Sequence, residues 1–526
     1  MQHPIQKLRG FWLLFFLTAG CMSTQGLFGF DSGVYGGISA TDSWKEHFPE
    51  VADANIAGIT SSCFSLGAFV GCLVTLFWLG DKLGRRWTIM TGMIINTVSV
   101  LLQVTAFSLP QMIVGRVING FGIGITSSTA PAFQAECSPA HVRGRLVVLG
   151  SLTNTFGVWI AGWVNFGIIY ASGDVTWRFP LALQYIFIII PCMILPFVPE
   201  SPRWLFFKGR EEEGLLALSK FHNDEISSEV VQKESASMLE AIYSERENHL
   251  PFMDILRCKD STQNLRRMLL GCFSMVFQQL SGVNGLGYYM PTLLEDIGLS
   301  GVASRGFTAG YNTMYMLSAF ACLLIIDRAG RRPMLFGGSI GMTAAYLLAA
   351  FSILGFQKNP DIKTPLQKLT IASFFIYYFC YGITYAKLPW VILSELPSVS
   401  NRTAAAGAAT ATNWMGSFIV TQFTPPGIEN LNTWGFYLLF ACFCLSYLPL
   451  TYLFYPETMN RTLEDIDEIF LRSKSIFVFQ DKVLTQKARP QYLIDREAER
   501  IAAMQNARME QGKADSIHHV ENSPKV

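Results

Sequence analysis

Gln278 and Gln279 stand side by side, Asn284 follows shortly after, and Tyr288 and Tyr289 close the stretch. These carboxamides lie inside an apolar run of about residues 268–293, long enough to cross a bilayer as a helix. Turned to hydrocarbon they would leave donors and acceptors unpaired, so they must face protein or a water-filled cavity. Gly282, Gly285 and Gly287 loosen the helix beside them, as in broken helices that line binding sites. Neutral hydrogen-bonding groups next to phenol rings suit a neutral, hydroxyl-rich ligand; the alternative is polar contact between helices.

A second pair of residues could move a proton. Asp31, in Gly29-Phe30-Asp31-Ser32-Gly33, is expected to end the first apolar span, and Arg116 lies within the fourth. An ionised carboxylate in that position costs about 2.5–3.5 kcal/mol, so Arg116 is its natural counter-charge. If Arg116 withdraws, the carboxyl takes up a proton; if it stays, the carboxylate persists. The alternatives are a static ion pair or an aspartate capping a helix end at the water interface.

Charged motifs recur along the chain. Gly80-Asp81-Lys82-Leu83-Gly84-Arg85-Arg86 is matched by Asp327-Arg328-Ala329-Gly330-Arg331-Arg332. Glu136 precedes Arg143 at the same spacing as Glu395 precedes Arg402, and Pro199-Glu200-Ser201-Pro202-Arg203 is matched by Pro456-Glu457-Thr458. Each recurrence follows the corresponding apolar run, which indicates two related halves. Acids and bases at helix ends where the halves meet are expected to pair across the inner face and to part when the halves rock. Topology determinants snorkelling at the interface are the alternative.

The elements that position these residues are apolar runs near 11–30, 56–79, 87–106, 109–132, 146–170 and 178–198, then 268–292, 306–326, 333–355, 368–393, 403–423 and 432–455. Half of the 526 residues are hydrophobic and 15% are charged, against roughly 25% in an average soluble chain. Lys7, Arg9, Arg85, Arg86, Arg143, Arg145, Arg328, Arg331, Arg332 and Arg402 fall on one side, which the positive-inside rule makes the cytoplasm. Lys7 and Arg9 ahead of Phe11 imitate a secretory signal, but the run continues to about Phe30 and reads as a first span. The polar stretch between the sets carries helical segments near 210–221 and 227–243 and reads as a linker. The tail from about Ser473 shows no apolar face large enough for a domain. The sequons at Asn401 and Asn460 fall on the cytoplasmic side, where they escape glycosylation.

The 278–289 stretch, the paired GRR loops, the E-x6-R pairs, and PESPR with PET followed by Thr462-Leu463-Glu464 resemble the sugar porter family of the major facilitator superfamily. The resemblance is to fungal hexose and polyol proton symporters above all, and it covers about residues 11–470. It implies an all-α membrane protein with twelve transmembrane helices in two six-helix bundles and a cytoplasmic helical linker. The division expected is 1–10 N-terminus, 11–203 first bundle, 204–267 linker, 268–457 second bundle and 458–526 tail. It further implies alternating-access transport of a sugar or polyol by proton symport, with Asp31 and Arg116 as the coupling pair. Gln278, Gln279, Asn284, Asn312, Trp390 and Asn413 would bind the solute. Asp81, Arg85, Arg86, Glu136, Arg143, Glu200, Arg203, Asp327, Arg331, Arg332, Glu395, Arg402 and Glu457 would form the cytoplasmic gate. A monomer in the plasma membrane, in contact with lipid, solute and protons, is expected.

Two departures bear on the solute. A long amide usual in the fifth span of hexose porters is replaced by Ser151, with Asn154 nearby to compensate. The tenth span reads Tyr385-Ala386-Lys387-Leu388-Pro389-Trp390 in place of the usual GPGPxPW. Lys387 either snorkels out of its helix or favours an anionic ligand, such as an organic acid or an exported metabolite.

Other classes find no support. No GxxxxGK[ST] loop, metal-ligand spacing or nucleophile–base constellation occurs, so ATP-driven transport, a cofactor and an enzyme are not expected. Gly120-Phe121-Gly122-Ile123-Gly124 imitates a dinucleotide loop but lies in a membrane span, where it serves helix packing. A formal net charge of +1 gives no polyanion site for nucleic acid. A transport-deficient nutrient sensor would need a longer signalling tail.

Overall fold

The computed structural model describes residues 8–247, 263–398, 402–473 and 475–496. Asn401 and the side chain of Arg143 lie outside them. Among the described residues every regular element is a helix. Eight stretches are apolar and long enough to cross a membrane unaided. Two of these, Ala54–Val104 and Ala404–Phe454, each fold into two spans. The fourth span, Leu109–Cys137, and the seventh, Asn264–Leu280 with Val283–Asp296, are too polar or too broken to register by hydropathy. The result is twelve spans in two halves of six, the major facilitator fold.

The joints are set by residues that tolerate positive φ. Gly84 (φ 82°) turns the second span into the third and Gly330 (φ 86°) the eighth into the ninth. At both, a methyl group would fall within 3 Å of a carboxylate, that of Glu200 or of Glu457. Gly282 (φ 86°) interrupts the seventh span just after the two glutamines, and Asn432 (φ 57°) turns the eleventh span into the twelfth. The tenth span breaks between Lys363–Ile383 and Leu388–Glu395.

The first span corrects an expectation. The helix does not end at Asp31 but runs Gly10–Ser39, leaving the aspartate buried within it. The glycines on either side of it are points of close approach. A Cβ on Gly29 would overlap the Asn154 carbonyl of the fifth span, and one on Gly36 would meet the Gly287 carbonyl of the seventh. Small residues let helix backbones touch in a membrane, and composition alone does not separate that role from helix breaking.

Helices Pro202–Phe207, Glu211–His222 and Glu229–Glu247 follow the sixth span and pack on the first half, where Trp204 Nε1 donates to the Asp81 carbonyl at 3.1 Å. The described part of the tail carries short helices. Leu463–Arg472, Val478–Gln480 and Lys482–Thr485 fold onto the second half, and Ile469, Val478, Leu484 and Leu493 form a small core of their own. These apolar residues come from separate short elements of the tail and meet because the chain turns back on itself.

Candidate functional site

A cavity of about 650 Å³ lies between the halves. Its wall runs from Asp81, Arg85 and Arg402 on the face that carries the GRR loops to the carboxamides midway through the bundle. On the far face the halves are sealed. Tyr289 Oη, in the seventh span, donates to Ser61 Oγ at 2.7 Å and lies 3.2 Å from the Ala57 carbonyl, both in the second span. Ser62 donates to Gln422 at 2.8 Å, Ser65 and Ser417 share a 2.9 Å bond, and Tyr35 meets Tyr288 edge to face at 6.0 Å. The molecule is open to one side only.

All six residues read as solute-binding line this cavity. Asn284 Nδ2 donates to Gln279 Oε1 at 2.6 Å and to Ser417 Oγ at 2.8 Å, and Gln279 Nε2 donates to Asn413 Oδ1 at 2.6 Å. Amides from the seventh and eleventh spans thus form one chain and orient each other. Gln278 Nε2 takes the Tyr385 and Ala386 carbonyls at 2.9 and 3.2 Å, freed where the tenth span breaks. Asn312 lies on the opposite wall, 3.5 Å from the Val158 carbonyl of the fifth span, and Trp390 is 39% exposed, leaving its ring open to the cavity. Both tyrosines take part in the far-side seal, and Tyr288 also lines the cavity. Ser417 was not singled out by sequence. Its signal is the four-residue spacing from Asn413, one turn along the same helix face.

Asp31 and Arg116 are each fully buried, and among the described residues they form no ion pair. Asp31 Oδ1 accepts from Asn119 Nδ2 at 2.8 Å, and Oδ2 has no hydrogen-bond partner. The Arg116 guanidinium sits over the Tyr35 ring at 4.0 Å and near Phe64 at 5.4 Å, with Nη2 3.5 Å from the Ser61 carbonyl. The expected direct contact is therefore replaced by aromatic faces for the cation and by one amide for the carboxyl. Asn119 was also missed. Its signal is its place three residues after Arg116, on the same side of the fourth span.

The gate residues form two matching networks, each within its own half. Arg85 grips Glu136 through Nε (3.1 Å) and Nη2 (3.0 Å), while Ser201 Oγ donates to the same carboxylate at 2.5 Å. Arg331 grips Glu395 through Nε (3.2 Å) and Nη2 (2.7 Å), and Thr458 Oγ1 donates at 2.5 Å. Glu200 accepts the backbone N–H groups of Arg85 and Arg86, as Glu457 accepts those of Arg331 and Arg332. The Arg86 and Arg332 guanidinium groups cap carbonyls, Val198 at 2.8 Å and Tyr452 at 2.7 Å. Burial pushes the Glu200 carboxyl above its ordinary value despite those backbone donors. Asp327 stands 3.6 Å from Arg331 and is largely exposed, as is Asp81. Arg203 lies in the first turn of Pro202–Phe207, and Arg402 Nη2 is 3.3 Å from the Ser394 carbonyl. No ion pair joins the two halves on this face among the described residues. Among the described residues the ion pairs that are seen hold each half to itself, where the cavity opens between the helix ends.

Lys387 does not snorkel outward. It is buried in the cavity wall and reaches the other half, donating to the Ser151 carbonyl at 2.9 Å and to Thr155 Oγ1 at 3.2 Å.

Two pseudo-equivalent six-helix halves around a central cavity, sealed on one face and open on the other, define a secondary transporter of the major facilitator type. The family model "Sugar (and other) transporter" matches residues 17–470, and the chain belongs to that family. It is 35% identical over 504 residues to the MFS-type transporter oryC of Aspergillus oryzae, covering 95% of this chain and 93% of that protein. It is 32% identical over 480 residues to the sugar transporter STL1 of Saccharomyces cerevisiae, covering 89% of this chain and 83% of that protein. The solved structure of the proton:xylose symporter XylE bound to 6-bromo-6-deoxy-D-glucose superposes with a TM-score of 0.71 at 21% identity, over 87% of this chain and 99% of that one. At that identity the likeness concerns the fold. The members of the family are transporters, and this chain is an integral, multi-pass membrane protein.

Proposed function

We propose that the protein is a proton symporter for a small polyhydroxylated solute of the sugar or polyol class, working as a monomer by alternating access. The observation that carries this reading is the amide chain Asn284–Gln279–Asn413 in the wall of a one-sided cavity. Amides can donate to and accept from hydroxyls, and Trp390 offers an aromatic face to C–H groups. The names of the yeast relative and of XylE agree with this class.

Asp31 is the proton carrier in this reading. In the present conformation it holds its proton, with Arg116 drawn off to Tyr35. When Arg116 turns back towards Asp31 the proton is released into the cytoplasmic cavity, and the carboxyl reloads once the far side opens. One charge moving down about 100 mV gains about 2.3 kcal/mol, enough for nearly fiftyfold accumulation of a neutral solute. The basic loops on the open face support a cytoplasmic side for it and for both termini, and the plasma membrane is the site this reading assigns. The two charged networks act as the inner gate, each fixing its helix ends so that the halves close as rigid bodies.

Flux in proteoliposomes tests this. Labelled sugars and polyols are offered with an imposed inward proton gradient to wild type and Asp31→Asn. Wild type should concentrate a solute that the variant only equilibrates. Equal accumulation by both would remove Asp31 from coupling, and no flux of any hydroxylated solute would remove the substrate class.

A further inference from the structure

The cavity carries a charge for which a neutral solute gives no use. Lys387 is 8% exposed, and its ammonium is held by two neutral oxygens, the Ser151 carbonyl and the Thr155 hydroxyl. An ammonium has three donors, so one N–H is left over. Among the described residues no carboxylate pairs with Lys387, whereas Arg85, Arg267 and Arg331 each have one. Arg116 also lacks a direct carboxylate, but aromatic rings cover it. A buried cation in the wall of a solvent cavity is stabilised when an anion arrives there.

The position of the ammonium matters as much as its charge. Gln278 bonds the carbonyls of Tyr385 and Ala386, the two residues before Lys387, so the lysine is tied to the amide cluster. Across from it, Ser151 presents only a hydroxymethyl group, which leaves space beside Nζ.

We propose that Lys387 is an anion subsite and that the solute is a polyhydroxylated monocarboxylic acid. Its carboxylate binds the ammonium and its hydroxyls bind Gln278, Gln279, Asn284 and Asn413. The inference rests on the hydroxyl-binding role proposed for those amides. It has an electrical consequence. A monoanion carried with one proton moves no net charge, while a neutral solute carried with one proton moves one positive charge.

The test uses the full chain in proteoliposomes and matched probes, glucose with glucuronate and sorbitol with gluconate. In at least one pair the acid should bind tenfold or more tighter than its neutral partner, and its proton-driven uptake should be indifferent to membrane potential. Lys387→Arg should keep that preference, and Lys387→Met should raise the KM for the acid at least tenfold and abolish the preference. If the neutral members are preferred with potential-driven uptake, or if Lys387→Met alters both members alike, Lys387 is a staple between the halves. The anion subsite is then overturned while hydroxyl recognition stands. If neither member of any pair is bound, the hydroxyl-binding reading itself falls. Should Lys387→Met fail to reach the membrane, the preference and potential dependence of the wild type decide alone.

Discussion

Replacing Tyr289 by Phe should tip the molecule towards its far-open conformation. The Tyr289 hydroxyl bonds Ser61 Oγ at 2.7 Å across the two halves, so the bond exists only while the far face is closed. Phe keeps the ring and its packing and removes this contact together with the weaker 3.2 Å approach to the Ala57 carbonyl. Ser61 keeps its own donation to the Ala57 carbonyl at 2.8 Å, so no buried hydroxyl is stranded. The loss is then that of a single net hydrogen bond, about 1 kcal/mol, or close to a fivefold shift in the ratio of the two states. Spin labels at the exposed positions Glu50, in the short helix Pro49–Ala52 between the first and second spans, and Asn430, at the end of the eleventh span, would report the two states as two distances. The long-distance population should rise by about fivefold relative to the short one in Tyr289→Phe. An unchanged distribution would mean that the tyrosine is not part of the closure and would refute the reasoning.

The matching networks make a second prediction. Glu457 is buried and accepts from four backbone N–H groups, those of Arg331, Arg332, Thr458 and Met459, so Glu457→Gln should cost about 1–3 kcal/mol and lower the melting temperature in detergent. Glu200→Gln should do the same in the first half, and a variant as stable as wild type would count against the joint. The tail supplies a pH prediction. Burial acts to raise the Asp465 carboxyl, but the Arg489 guanidinium and the Thr462 cap outweigh it and hold it below its ordinary value. A depressed carboxyl contributes its stability above the unfolded value of about 3.9 and loses it as pH falls through the folded one. Amide exchange in residues 463–496 should therefore show no loss of protection due to this pair between pH 7 and about 4, and a loss below. Arg489→Gln should loosen the tail at neutral pH; a tail equally protected in that variant would discount the pair.

The twelve-span layout and the kinship of the halves were legible because their causes are local. A bilayer demands about twenty apolar residues per crossing, and the charged loops that end the crossings are short motifs repeated in order. The amide cluster was legible for a related reason: Gln278, Gln279 and Asn284 would be costly in lipid wherever their helix goes. Their convergence with Asn312, Trp390 and Asn413 on one cavity rested on resemblance to known motifs until the helices were placed.

What the tertiary structure alone decided is which partner each polar group takes. Sequence located Asp31 and Arg116 but not the aromatic faces of Tyr35 and Phe64 that compete for the guanidinium, nor the amide of Asn119 that holds the carboxyl. It located the gate charges but not that Arg85 and Arg331 would each turn to an acid of their own half. It left Lys387 free to point outward or inward, and only the approach of the fifth span, with its Ser151 carbonyl, settled that. Apolar content and motif order are properties of neighbouring residues and survive without knowledge of the fold. Pairing among buried charges depends on ångström-scale distances between helices remote in sequence, and on which face of the transporter happens to be closed.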